Sequence, residues 1–170
     1  MMPGDPDEIL RARARALAKP AATERDATES ALELLVVIVG EERMAIPLSD
    51  VAAIARATTL VPLPRAIAPV FGVTAWRGRP LTVLTLVAGT PVLSEGSRFV
   101  VLGDARRADV AVLVDAVEDA VRVPRDAFTP AGDTTRGPYT LGVTDDAMHV
   151  LDARVLIRGR LAATPDTPIQ

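Results

Sequence analysis

The sequence predicts a mainly β protein: two small β-barrels of about five strands each, packed side by side with a groove between them. Three observations carry this. Short apolar runs recur through the body without a helical period, Gly, Pro and Asp punctuate them, and the resulting order of strands and turns occurs twice along the chain. With 170 residues, 49% apolar and 24% charged, there is enough material for a core, and with only 3% aromatic residues that core must be aliphatic.

Residues 1–30 stand apart. Asp5 or Asp7 caps a predicted helix over Glu8–Ala18, with Leu10, Ala14 and Leu17 on one face and Arg11, Arg15 and Lys19 forming a basic stripe. Such a stripe reads first as a solvated face and otherwise as a docking face for an acidic partner or lipid. Pro20 ends the helix and a polar linker follows, giving an extension over 1–30, a body over 31–160 and a tail over 161–170.

The body opens with Leu34–Val39, a β-branched and aliphatic strand closed by the turn Gly40-Glu41-Glu42, and a second strand carries Met44, Ile46 and Leu48. Ser49 is placed as an N-cap with Asp50 in the first turn, so Val51 and Ile54 are expected on a short helical turn. Thr58–Val61 reads as extended, bounded by Pro62 and Pro64. Val70–Thr74 and Leu81–Leu86 flank Arg77-Gly78-Arg79 as a hairpin, and Arg98–Leu102 and Val110–Val114 flank Gly103–Asp109 as another. Pro124, Pro130, Gly132, Gly137 and Pro138 mark a long loop before Tyr139. Val150-Leu151 and a short helix over Ala153–Arg158 complete the ordered part.

The repeat is a sequence of echoes. Strand, Gly40, charged hairpin, strand and Asp50-Val51 return as strand, Gly103, charged hairpin, strand and Asp115-Ala116-Val117. Gly72-Val73-Thr74 and Val83-Leu84-Thr85 return as Gly142-Val143-Thr144 and Val150-Leu151-Asp152, with offsets of 63 and 70 residues for the leading glycines. One such unit is too small to bury much alone, so the two copies are expected to pack together, and barrel closure would protect their edges. A single antiparallel sandwich of about ten strands is the alternative architecture.

The inventory of reactive groups is short. There is no cysteine and one histidine, His149, which excludes thiol nucleophiles, disulfides and multi-histidine metal sites. His149 in an extended segment reads as structural. Asp115 and Glu118 have the spacing of a capping box, and Asp145-Asp146 reads as a hairpin tip. No nucleophile elbow, phosphate loop or dinucleotide fingerprint is present, so no catalytic residue, metal or cofactor is expected. A net charge of −3 disfavours nucleic acid as partner. No apolar run approaches the ~20 residues of a membrane helix, and no leader-like segment is read at the start, so a cytoplasmic protein without membrane insertion is expected. The most distinctive local feature is Trp76-Arg77, the only tryptophan beside an arginine at a glycine turn. These residue types are the most enriched in interface hot spots, which makes the pair a candidate recognition site.

The ordered motifs from about Glu33 to Gly159 resemble the CheW-like coupling proteins of bacterial chemotaxis arrays. The resemblance rests on Val51-Ala52-Ala53-Ile54 for a V-x-x-I segment, on Leu63-Pro64-Arg65-Ala66 for a proline-containing connection, and on Gly72-Val73-Thr74-Ala75-Trp76-Arg77-Gly78 for a G-V-x-N-x-R-G signature. Val83-Leu84-Thr85-Leu86, Val114-Asp115-Ala116-Val117 and the Gly142–Asp152 segment complete it. Ala75 replaces the signature asparagine, and Thr85 stands at the acidic position that follows. The resemblance implies two five-stranded SH3-like barrels, no catalysis, and a scaffold that bridges the cytoplasmic tip of a methyl-accepting chemoreceptor and the regulatory domain of a CheA-type histidine kinase. It implies receptor contacts at Val51, Ile54, Gly72, Val73 and Arg77, to which the recognition pair adds Trp76, by helix-in-groove recognition, and kinase contacts at Val114 and Val117. A regulatory or small-molecule-binding barrel outside chemotaxis is the alternative; a carboxylate-dependent hydrolase using Asp115 or Asp145 is a third.

Overall fold

The apolar runs become strands, and the longest of them are buried on both faces. A computed structural model describes residues 31–104, 108, 110–131 and 139–162; the predicted helix over Glu8–Ala18, most of the tail and parts of two loops lie outside the described residues. β1 (Ala31–Val39) and β2 (Glu42–Pro47) form a hairpin, followed by a 3-10 turn, Leu48–Asp50. Then come β3 (Val51–Arg56), β4 (Val61–Pro62), β5 (Val70–Trp76), β6 (Arg79–Leu84), β7 (Arg98–Leu102), β8 (Val110–Val114) and β9 (Ala116–Pro124). A second 3-10 turn, Arg125–Ala127, leads to β10 (Phe128–Pro130), β11 (Thr140–Thr144), β12 (His149–Leu151) and the helix α1 (Ala153–Ala162).

The strands make two mixed sheets of six strands each, ordered β9-β1-β2-β12-β11-β10 and β3-β7-β8-β6-β5-β4. Written this way the two orders correspond strand for strand, including one parallel pair in each, β2 with β12 and β8 with β6. The duplication is therefore real in the topology, but the halves do not fold separately. The β1–β2 hairpin of the first half sits in a sheet with β9–β12 of the second, and the β7–β8 hairpin of the second half sits with β3–β6 of the first. The expected five strands per unit become six, and within each sheet no ladder joins the first strand to the last among the described residues, so closed barrels are not seen in the pairing.

The core follows from this exchange. Alternate residues of one strand serve different clusters: Leu34 and Val36 face an inner cluster of the first sheet, Phe99 and Val101 an inner cluster of the second. Leu35, Val37 and Val39 meet Val100, Leu102, Val110 and Val112 in a third cluster shared by both sheets, which Leu156 of α1 joins. Burial on both faces is why Leu34–Val39 and Val110–Val114 read as continuous apolar runs rather than alternating ones. Matching joints lock the hairpin turns: the Gly40 N–H donates to the Asp115 carboxylate at 2.6 Å, and the Gly103 N–H donates to the Asp50 carbonyl at 2.9 Å.

Three local expectations are corrected. Val51 and Ile54 lie on β3, paired with Leu102 and Val100, because extended pairing of β-branched residues wins over a helix whose start, at Pro47, has no side-chain cap; Ser49 supplies none. Asp115 and Glu118 do not form a capping box, since Ala116–Pro124 is a strand; Asp115 holds the Gly40 turn and Glu118 pairs with Arg43 at 2.9 Å. The long loop expected from Pro124 to Tyr139 contains a 3-10 turn and β10. The helix near the end starts at Ala153 as expected and runs to Ala162, its first turn capped by the Asp152 carboxylate, which accepts from the Arg154 and Val155 N–H groups at 2.9 and 3.0 Å.

Candidate functional site

β5 and β6 place the most distinctive residues. Trp76 pairs with Arg79, leaving Arg77-Gly78 as a two-residue turn with φ of 51° and 75°. Positive φ at both central residues defines a type I′ turn, for which Asn-Gly is the favoured sequence. Here an arginine occupies the first position, and its guanidinium carbon lies 4.5 Å from the Trp76 ring centroid, a cation–π contact. Trp76 is half-buried and packs on the inner cluster of its own sheet, so Arg77 is the exposed member of the pair. The ring serves as a platform for the cation rather than as a free anchor.

Register shows which predicted residues share a face. Val51 opposes Leu102 and Ile54 opposes Val100, so both lie on the shared-core face of the second sheet; Val73 opposes Thr82, which opposes buried Val110, and lies on that face too. Ile54 is 45% exposed at its border. Buried Val100, Val112 and Leu84 stand between Ile54 and β5 in the sheet, so Val51 and Ile54 flank the shared core on one side and Val73 on the other. Gly72 is buried, and a Cβ there would overlap the Val61 carbonyl: its role is to let β4 lie against β5. Val114 is only 1% exposed, inside the shared core, and Val117 is half-buried at the rim of that core on β9. β9 is the outer strand of the first sheet, so Val117 lies on a sheet edge and Val114 does not.

Sequence reasoning missed an exposed apolar strip beside this hairpin. Val61, Leu63 and Ile67 are 55%, 41% and 63% exposed, and β4 pairs Val61 with Val73, while the Leu63 N–H donates to the Phe71 carbonyl at 2.9 Å. Pro62 and Pro64 had marked the segment only as a strand end; large apolar residues between prolines, with no alternation to bury them, were the available signal. Thr85 has a buried hydroxyl with no hydrogen-bond partner. Among the described residues no group of three or more His, Cys, Asp or Glu side chains is arranged to hold a metal ion, and no helix is long and apolar enough to cross a membrane.

Comparison with known proteins places this geometry. The solved structure of the scaffolding protein TtCheW from Thermoanaerobacter tengcongensis matches with a TM-score of 0.61 and 19% identity, covering 71% of this chain and 88% of that one. A search of curated protein sequences returned no match. A model of the CheW-like domain matches residues 33–160, which takes in both sheets and most of α1, and the chain therefore belongs to the CheW-like domain family.

Proposed function

We propose that the chain is a non-enzymatic cytoplasmic scaffold that couples a chemoreceptor's helical tip to a CheA-type histidine kinase. The observation that carries the reading is the exposed apolar strip of Val61, Leu63 and Ile67 along the hairpin that ends in Arg77. An amphipathic helix offers an apolar stripe and charged rims, and an exposed apolar strip on the edge strand beside an arginine-tipped hairpin offers a partner for each. The cost of placing arginine in the left-handed region, where glycine or asparagine is preferred, supports a side chain kept for what it touches. In this reading Val73 and Arg77 meet the receptor directly, Trp76 holds Arg77, and Gly72 shapes the strand. Val51 and Ile54 add a second apolar flank. Val114 acts through packing, and the kinase domain addresses the outer edge of β9, the strand of Val117.

Arg77→Glu tests the receptor site. Binding to a receptor cytoplasmic helical hairpin, measured by interferometry, should weaken by about 30-fold if Arg77 is a hot spot worth ~2 kcal/mol. A folded variant, checked by circular dichroism, that binds as the parent does would remove Arg77 from the site. Association with a purified CheA-type kinase at micromolar concentration tests the second half; absence of a complex would assign the scaffold a different partner.

A further inference from the structure

The repeat lets each position of one unit be compared with its counterpart in the other, and the counterparts differ most at one end of the first sheet. In the second sheet, Phe99 fills the inner cluster and the Trp76 ring packs on it. Aligning the turn glycines Gly40 and Gly103 puts Val36 at the place of Phe99, in the inner cluster with Leu34, Ala45, Met148 and Val150. The hairpin is shorter too. Thr74 pairs with Leu81 and the ladder continues to Trp76 and Arg79, whereas the Thr144 N–H meets the Met148 carbonyl at 3.0 Å across the loop Asp145–Ala147. The shorter hairpin of the first sheet has no ladder position equivalent to that of Trp76.

Phe99 and Trp76 of the second sheet thus correspond to one valine in the first, where Phe128 of β10 also packs against the inner cluster. An open cleft of about 310 Å³ lies at this end of the first sheet, with half-buried Val121 and Val123 along its apolar wall and buried Val36 and Met148 beneath. Its rim is unevenly charged. Arg43 and Arg122 line it but are each paired at 2.9 Å with Glu118 and Glu33, while Asp145 and Asp146 add two exposed carboxylates, the second of which accepts from the Thr144 hydroxyl.

We propose that this cleft docks a protein segment presenting an aromatic side chain followed by a basic residue, the ring on Val36, Val121 and Met148 and the cation at Asp145 and Asp146. The other unit supplies the template for that chemistry, since there a tryptophan ring covers the equivalent cluster and the next residue is an arginine stacked on it. The chain's own Trp76 is committed to its sheet, so the occupant is a separate protein. This site is distinct from the Arg77 hairpin and stands independently of the receptor and kinase reading.

The test is nuclear magnetic resonance titration of the ¹⁵N-labelled full chain with N-acetyl-Trp-Arg-amide, N-acetyl-Trp-Glu-amide and N-acetyl-tryptophanamide. The Trp-Arg probe should shift the amides of Val36, Val121 and Met148 with a Kd on the order of 1 mM. It should bind about threefold more tightly than the Trp-Glu probe at low salt, the size of one exposed charge pair. Asp145→Lys should abolish that preference, and Val36→Phe should fill the cleft and remove the shifts. The proposal is overturned by shifts centred elsewhere, by no shifts, by a folded Val36→Phe variant that binds as the parent does, or by equal binding of all three probes, which would mark a site for apolar small molecules. Should Val36→Phe fail to fold, the surface variant Asp145→Lys decides: a retained preference for Trp-Arg overturns the proposal.

Discussion

Gly72 and Gly142 are the positions where one added methyl would reach furthest. Each lies opposite a proline on a short edge strand, Pro62 and Pro130, and a Cβ would meet the Val61 carbonyl at the first and lie 2.5 Å from the Thr129 carbonyl at the second. Backbone cannot yield as a side-chain tip can. Gly142→Ala should therefore lower stability by about 2 kcal/mol or more, read as a shift of the urea midpoint. Thr85 points the other way: its buried hydroxyl has no partner, so Thr85→Val should raise stability by about 1 kcal/mol in the same assay. The Gly-Val-Thr echo was legible in the sequence, but its reason was not, because the atoms each glycine must avoid come from a strand ten or more residues away. Likewise Trp76 and Arg77 were legible as a pair, while the burial of the ring depended on a cluster assembled from distant strands.

Among elements, the turns and hairpins were easiest to read and β9 the hardest. Gly78 after Arg77 announced a tight turn, and the type I′ geometry follows from the glycine at its second position. β9 offered Val117, Val121 and Val123, but a register shift opposite Leu35 and Val37 breaks their alternation, and Asp115 with Glu118 imitated a helix start. What decides between the two is tertiary: Asp115 reaches back to Gly40 and Glu118 to Arg43, 75 residues away in each case. The Arg43–Glu118 pair is exposed on both sides, so Glu118→Gln should change stability by less than about 1 kcal/mol. Asp152→Ala removes the acceptor for two N–H groups of α1 and should cost about 1 kcal/mol, seen in thermal unfolding followed at 222 nm.

For the whole molecule, the prediction of two similar β units was legible from the echoes, whereas the exchange of hairpins between the halves was not. Repeats in a sequence tell which segments are alike, and only pairing tells which copy each segment joins. The exchange makes a test available. Fragment 31–90 lacks the flanking strands of the first sheet and the central hairpin of the second, and fragment 91–162 lacks the reverse, so neither should fold alone and an equimolar mixture should. Dispersed amide spectra from either fragment by itself would contradict the arrangement. The same exchange settles how force and attachments act on the protein. The described chain enters through β1 and leaves the sheets through β12, neighbours in the first sheet with only β2 between them, while the second sheet is spun out entirely from the middle, residues 51–114. A tether, label or fused domain ahead of β1 therefore loads the first sheet, one beyond α1 loads the helix seated on the core that both sheets share, and the Arg77 hairpin is reached from neither directly.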